Sequence, residues 1–101
     1  MSSSVPKRNT IPEEQVHLIM KALADSRRYE ILKQLEKCKS AMPCETVRGL
    51  MKITPATLSH HMKELETAGL VHVAREGKFA NYLLRRDILE AFLERLRLDL
   101  I

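Results

Sequence analysis

Apolar residues along this chain recur first every three or four positions and then, over one short stretch, every second position. Val16, Ile19, Met20 and Leu23 keep the helical spacing, which predicts a first helix over roughly 11–24. Thr10 and Glu13 stand three apart at its start, the pattern of a capping box. Asp25-Ser26 interrupts the run and can cap a second helix over roughly 26–38, with Ile31, Leu32, Leu35 and Cys38 on its apolar face. The segment KSAMP ends that helix, and Pro43 suits the first position of a third, roughly 43–51, marked by Val47, Leu50 and Met51. Lys52-Ile53 is a tight connection. Thr54-Pro55 is a cap followed by proline and opens a fourth helix whose buried stripe is Leu58, Met62 and Leu65. Gly69 stands where a helix needs a left-handed stop. Beyond it Val71 and Val73 alternate with His72 and Ala74, so LVHVAREGKFANYLL reads as two short strands around Glu76-Gly77. A final helix, roughly 87–98, is apolar over a broad arc of Ile88, Leu89, Phe92, Leu93 and Leu96.

The expected fold is mainly α with a small β-hairpin, in the order α-α-α-α-β-β-α. Residues 1–9 read as a flexible N-terminal tail and 10–101 as one domain. A chain of 101 residues buries a modest core, and association with a second copy is a natural way to bury more. Lys and Arg number 17 against 13 Asp and Glu, a net charge of +4, which leans weakly toward an anionic partner. No apolar run approaches the roughly 20 residues of a membrane span, and MSSSVPKRNT has no signal-peptide core. A cytoplasmic protein without a membrane partner is expected. Cys38 and Cys44 are too few for a disulfide framework. The chain carries no phosphate-binding glycine loop, zinc-ligand cluster or nucleophile–base pair, so neither an enzyme nor a bound cofactor is expected.

A short helix, a tight turn and a longer helix make a helix-turn-helix pattern. The fourth helix, Pro55 to Ala68, would be about 21 Å long at 1.5 Å per residue. With Leu58 at the centre of its buried face and about 100° per residue, Ala56, His60, Lys63 and Thr67 point away, and Thr57 and Ser59 flank. Small and hydrogen-bonding groups at a helix N-terminal half suit entry into a DNA major groove. Thr54 and the helix start can hold a phosphate. Arg75 and Lys78 bracket the glycine turn of the hairpin, a cationic tip suited to a phosphate backbone or minor groove. The pattern is that of a winged helix-turn-helix.

LADSRRYEIL, TPATLSHHMKELETAGLV and REGKFANYLL, in this order and spacing, resemble the ArsR/SmtB-type winged helix-turn-helix repressors of bacteria and archaea, over roughly residues 15–98. The resemblance implies a homodimer that binds an inverted-repeat operator in double-stranded DNA, represses transcription and is released by an inducer. It places Thr54 as the cap of the recognition helix, Leu58 and Leu65 in the core, and Ser59, His60 and His61 on the family's Ser-x-His. In that motif the serine and the variable residue face DNA. Arg75, Glu76 and Gly77 fall on the wing, and Met62 replaces the usual leucine. The family's Cys-x-Cys metal pair would fall at about Pro43 and Glu45, around Cys44. Its other metal site needs histidines on the last helix, where this chain has none. No metal site is therefore expected, and none of these motifs names an effector, an operator or a regulated gene.

Each signal has a plainer reading beside it. His60 and His61 are adjacent on a helix, so their side chains diverge by about 100° and cannot easily share an ion. His60 is read as facing DNA and His61, nearer the buried side, first as a packing or helix-bracing residue and second as a phosphate contact. His17 and His72 are read as surface residues. Cys38 and Cys44 are read first as small buried hydrophobes and second as a thiol-redox switch. Val16, Ile19 and Met20 with Leu89, Phe92, Leu93 and Leu96 are read as a dimer seam, although some first-helix members can pack within the subunit. Winged helices also serve as protein-binding adaptors, so that alternative stays open. The expected DNA-facing set is Thr54, Ala56, Thr57, Ser59, His60, Lys63, Arg75 and Lys78.

Overall fold

A computed structural model describes residues 11–101. The expected tail at 1–9 and the Thr10 cap lie outside the described residues. Five helices and three strands follow in the order α1 (Glu13–Leu23), α2 (Ser26–Glu36), β1 (Met42–Pro43), α3 (Cys44–Met51), α4 (Pro55–Thr67), β2 (Val71–Glu76), β3 (Phe79–Leu84) and α5 (Arg86–Leu100).

Helix starts follow local chemistry. Asp25 caps α2 by accepting from the backbone N–H of Arg27 at 2.8 Å and of Arg28 at 3.3 Å. Thr54 caps α4 through the Thr57 N–H at 3.2 Å, with Pro55 in the first turn. Two starts differ from expectation. Pro12, with no side-chain cap, precedes α1, which begins at Glu13, and Glu13 bonds His17 and Arg95. Pro43 is not the first residue of α3 but its extended flanking residue, with φ −62° and ψ 146°.

That extended backbone belongs to β1, which the hydrophobic pattern did not suggest. Met42 and Pro43 pair antiparallel with Tyr82 and Asn81 of β3. The sheet runs β1-β3-β2, with β2 and β3 in register from Val71↔Leu84 to Glu76↔Phe79. Val71, Val73, Tyr82 and Leu84 turn inward onto a core that includes Ile19, Ile31, Leu35, Val47, Leu58, Met62, Leu65, Leu70 and Phe92. The turn from α3 to α4 is made by Lys52 in the left-handed conformation, φ 57°.

α5 closes the fold by anchoring to α1 and α2. Arg95 donates to the Ile11 carbonyl at 3.1 Å and also bonds Glu13 and Asp99. Arg86 donates to the Glu36 carbonyl at 3.0 Å and lies 3.4 Å from that of Cys38, which supplies donors to the exposed end of α2.

Candidate nucleic-acid interface

Packing against the core fixes which side of α4 is left for solvent. Leu58, His61, Met62 and Leu65 are buried. Thr54, Ala56, Ser59, His60 and Lys63 are exposed, and Thr57 is half-buried on the flank, its hydroxyl bonded to that of Thr54 at 2.9 Å. The open side of the N-terminal half therefore carries a methyl, hydroxyls and an imidazole, with no bulky apolar group to hold a major-groove edge away.

The hairpin stands beside this face. Ser59, Met62, Lys63 and Glu66 of α4 form one wall of a cleft of about 330 Å³, and Val73, Arg75 and Tyr82 form the other. Ser59, Lys63 and Arg75 thus come to one place. Lys78 does not join them. It sits at the hairpin turn, bordering a separate cleft of about 730 Å³ with Pro43, Cys44, Glu76, Phe79 and Asn81. Gly77 takes φ +59° in that turn, a backbone state that suits glycine.

Three features of the interface were not visible in the residue pattern. Arg75 is already engaged, its guanidinium 3.5 Å from the Glu66 carboxylate. Phe79 stands 63% exposed at the wing tip beside Lys78. His61 packs inward as expected, but its partner was not foreseen: Arg28 Nη1 lies 3.4 Å from His61 Nδ1. Burial pushes the His61 imidazole below its ordinary pKa, Asp25 opposes that, and the charges of Arg28, His60 and Arg27 add to it.

The two cysteines are free thiols, half-buried and packed against the core. Burial, and next a hydrogen bond with the Cys44 thiol, hold the Tyr82 phenol far above its usual range. Among the described residues no three His, Cys, Asp or Glu side chains gather as a metal ion would need. No helix among them is long and apolar enough to cross a membrane.

The expected seam divides on folding. Val16, Ile19 and Phe92 are buried inside the protomer. Leu89 and Leu96 are half-buried. Met20 and Leu93 remain 47% and 61% exposed. The broad arc on α5 thus serves two purposes: Ala91 and Phe92 face inward, and Leu93 faces out.

A two-helix unit with a polar recognition face and a cationic antiparallel hairpin defines a winged helix-turn-helix DNA-binding domain. Residues 25–73 match the model for bacterial regulatory proteins of the arsR family. An uncharacterized HTH-type transcriptional regulator of Methanocaldococcus jannaschii is 36% identical over 74 residues, 73% of this chain and 82% of the relative. The arsenical resistance operon repressor of Staphylococcus aureus is 34% identical over 85 residues, 84% of this chain and 80% of the relative. Among solved structures, the homodimeric winged helix-turn-helix DNA-binding domain of a possible ArsR-family regulator from Mycobacterium bovis superposes with a TM-score of 0.67 at 30% identity, covering 85% of this chain and 80% of that one. The chain belongs to the ArsR family of transcriptional regulators.

Proposed function

We propose that this regulator is a homodimeric repressor of an inverted-repeat operator, working without the family's usual metal-sensing sites. Each protomer would set the N-terminal half of α4 in a major groove, the two grooves about one helical turn, roughly 34 Å, apart. Ser59 and His60 would read base edges, with Ala56 and Thr57 permitting close approach. Thr54, Lys63, Arg75 and Lys78 would hold phosphates. Met20 and Leu93 would meet their counterparts across the two-fold axis, with Leu89 and Leu96 at the edge of the contact and the buried Val16, Ile19 and Phe92 supporting them. Repression follows if the bound dimer blocks polymerase.

One observation carries this reading: the exposed side of α4 is small and polar where it would enter a groove and lies beside a cationic hairpin. The Staphylococcus aureus relative is an operon repressor and the Mycobacterium bovis domain is homodimeric, which supports both parts. The residues at the cysteine-pair positions, Pro43 and Glu45, and the lack of histidine on α5 support the part of the reading that omits the family's metal-sensing sites.

The test is selection of bound duplexes from a random pool at near-physiological salt with a reducing agent present. An enriched inverted repeat is the expected result and would also reveal the operator. Enrichment of single half-sites only would rule out the cooperative dimer. Folded protein that enriches nothing would point to a protein-binding adaptor instead.

A further inference from the structure

Tyr82 aside, Arg28 and His61 are the two buried polar side chains among the described residues, at 9% and 6% exposure, and they meet each other. Arg28 also reaches three other groups at the corner between α1 and α2. Its Nε donates to the Ala22 carbonyl at 2.8 Å, and its Nη2 lies 3.4 Å from the Lys21 carbonyl. Its Nη1 stands 3.8 Å from the Asp25 carboxylate that caps α2. One guanidinium therefore gathers the carbonyl end of α1, the start of α2 and the middle of α4. Those carbonyls carry partial negative charge, which a cation at a helix C-terminus satisfies.

The contact with His61 depends on protonation state. A guanidinium only donates hydrogen bonds. His61 Nδ1 can join it only as an acceptor, which requires a neutral imidazole with its proton on Nε2. A proton on Nδ1 would set donor against donor and cation against cation in a place with little water to screen them. The charged groups acting on His61 are Asp25 at the α1–α2 corner, Arg27 and Arg28 from α2 and His60 from its own helix. Asp25 alone favours the imidazolium. α1 contributes backbone carbonyls, which bond the guanidinium.

The location gives the contact its consequence. His61 follows His60 directly and Ser59 by two residues, so whatever fixes the rotation of α4 about its axis at His61 also fixes where those side chains point. We propose that Arg28 is a positioning residue for DNA reading: through neutral His61 it locks the rotation of the recognition helix to the α1–α2 corner, and uptake of one proton by His61 releases that lock. This inference rests on the proposed role of Ser59 and His60 as base readers.

Sign and window follow from linkage. The folded, DNA-competent protein holds His61 neutral, so affinity is full above the ordinary histidine value near 6.5. It falls as acid drives a proton on, by up to about tenfold per pH unit below the folded-state value. The experiment measures operator and random-duplex affinity from pH 7.5 to 5.0, with the imidazole titrations followed by NMR in the same buffers. The parent and His61→Gln are measured side by side in the same buffers, so that every other contribution to the pH profile is common to both.

Operator affinity is expected to fall along the His61 titration while random-duplex affinity does not. His61→Gln, whose amide oxygen accepts from Arg28 at any pH, should flatten the profile. Arg28→Lys, which keeps the charge but not the fork of donors, should lower the operator-to-random ratio by about the factor of ten that one lost bidentate base contact represents. Acid loss that persists in His61→Gln would overturn the inference alone, as would an Arg28→Lys variant that weakens all duplexes equally. Absence of operator preference at every pH would overturn the DNA-reading assignment beneath it. The NMR titration separates the two, because a His61 that titrates normally and ignores Arg28→Lys removes the clamp itself.

Discussion

Arg75 comes to the wing with a partner already attached, and that decides what it can do for DNA. Its pair with Glu66 spans 3.5 Å between two largely exposed side chains. Such pairs contribute roughly 0–1 kcal/mol to stability, so the pair matters more as competition: a phosphate must displace Glu66 or share the guanidinium. Glu66→Gln should tighten binding to all duplexes several-fold and steepen the dependence of log affinity on log salt by up to about one phosphate contact, measured by fluorescence anisotropy over a salt series. An unchanged slope would mean that Arg75 stays away from phosphate. His60 and Lys78 offer the complementary test. His60→Ala should change which sequences are preferred, whereas Lys78→Ala should weaken all of them alike. If both variants merely lower affinity uniformly, base reading does not belong to His60. The wing cations and the α4 face were legible in the sequence because a glycine turn and a Thr-Pro start are local signals. The Glu66–Arg75 and Arg28–His61 contacts were not, since each joins residues on different elements and depends on the angle at which those elements pack.

Element boundaries were legible where one residue does the capping. Asp25 and Thr54 accept backbone N–H groups as their residue types predict, and Gly69 stops α4 as expected, with φ +83°. The stop is a Schellman motif, in which Leu70 N–H bonds the Leu65 carbonyl at 3.0 Å and Gly69 N–H that of Glu66 at 2.9 Å. Gly69 also leaves room for a second helix. The Gln15 side chain of α1 donates to the Ala68 carbonyl at 3.1 Å and passes 2.5 Å from where a Gly69 Cβ would stand. Gly69→Ala should therefore lower stability by about 1–2 kcal/mol, combining left-handed strain with loss of that bond, read as a drop in denaturant midpoint at unchanged slope. Gln15→Ala in the Gly69→Ala background should cost less than in the parent, because the bond is already gone. The boundaries that were missed lack such a local signal. β1 is two residues long, and only its pairing with Tyr82 and Asn81 makes it a strand. Lys52 takes a left-handed turn that glycine or asparagine would have announced.

At the scale of the whole molecule, apolar surface on α5 and α1 is left uncovered by the protomer itself. Leu93 is 61% exposed and Met20 47%. Beside Leu93 lies an apolar groove of about 560 Å³ lined by Leu23, Tyr29, Leu32, Leu84, Leu89 and Phe92. A contiguous apolar patch on a small domain marks an interaction surface, and the proposed two-fold contact would cover it. The sequence signalled this face through the breadth of the arc on α5, but how the arc divides between core and surface is set by the direction in which α5 crosses α1 and α2. Leu93→Glu tests the assignment without touching α4 or the wing. Sedimentation velocity at micromolar concentration should show the parent as a dimer and the variant shifted to monomer, since two buried carboxylates would face each other across the axis. Affinity for an isolated half-site should be unchanged, because each protomer keeps its recognition face. Affinity for the full inverted repeat should fall toward the half-site value as the second binding event ceases to be intramolecular, a loss of about 10²–10⁴-fold. A monomeric variant that still held the full operator as tightly as the parent would show that the two protomers read their half-sites independently, and the seam would then have to serve something other than DNA recognition.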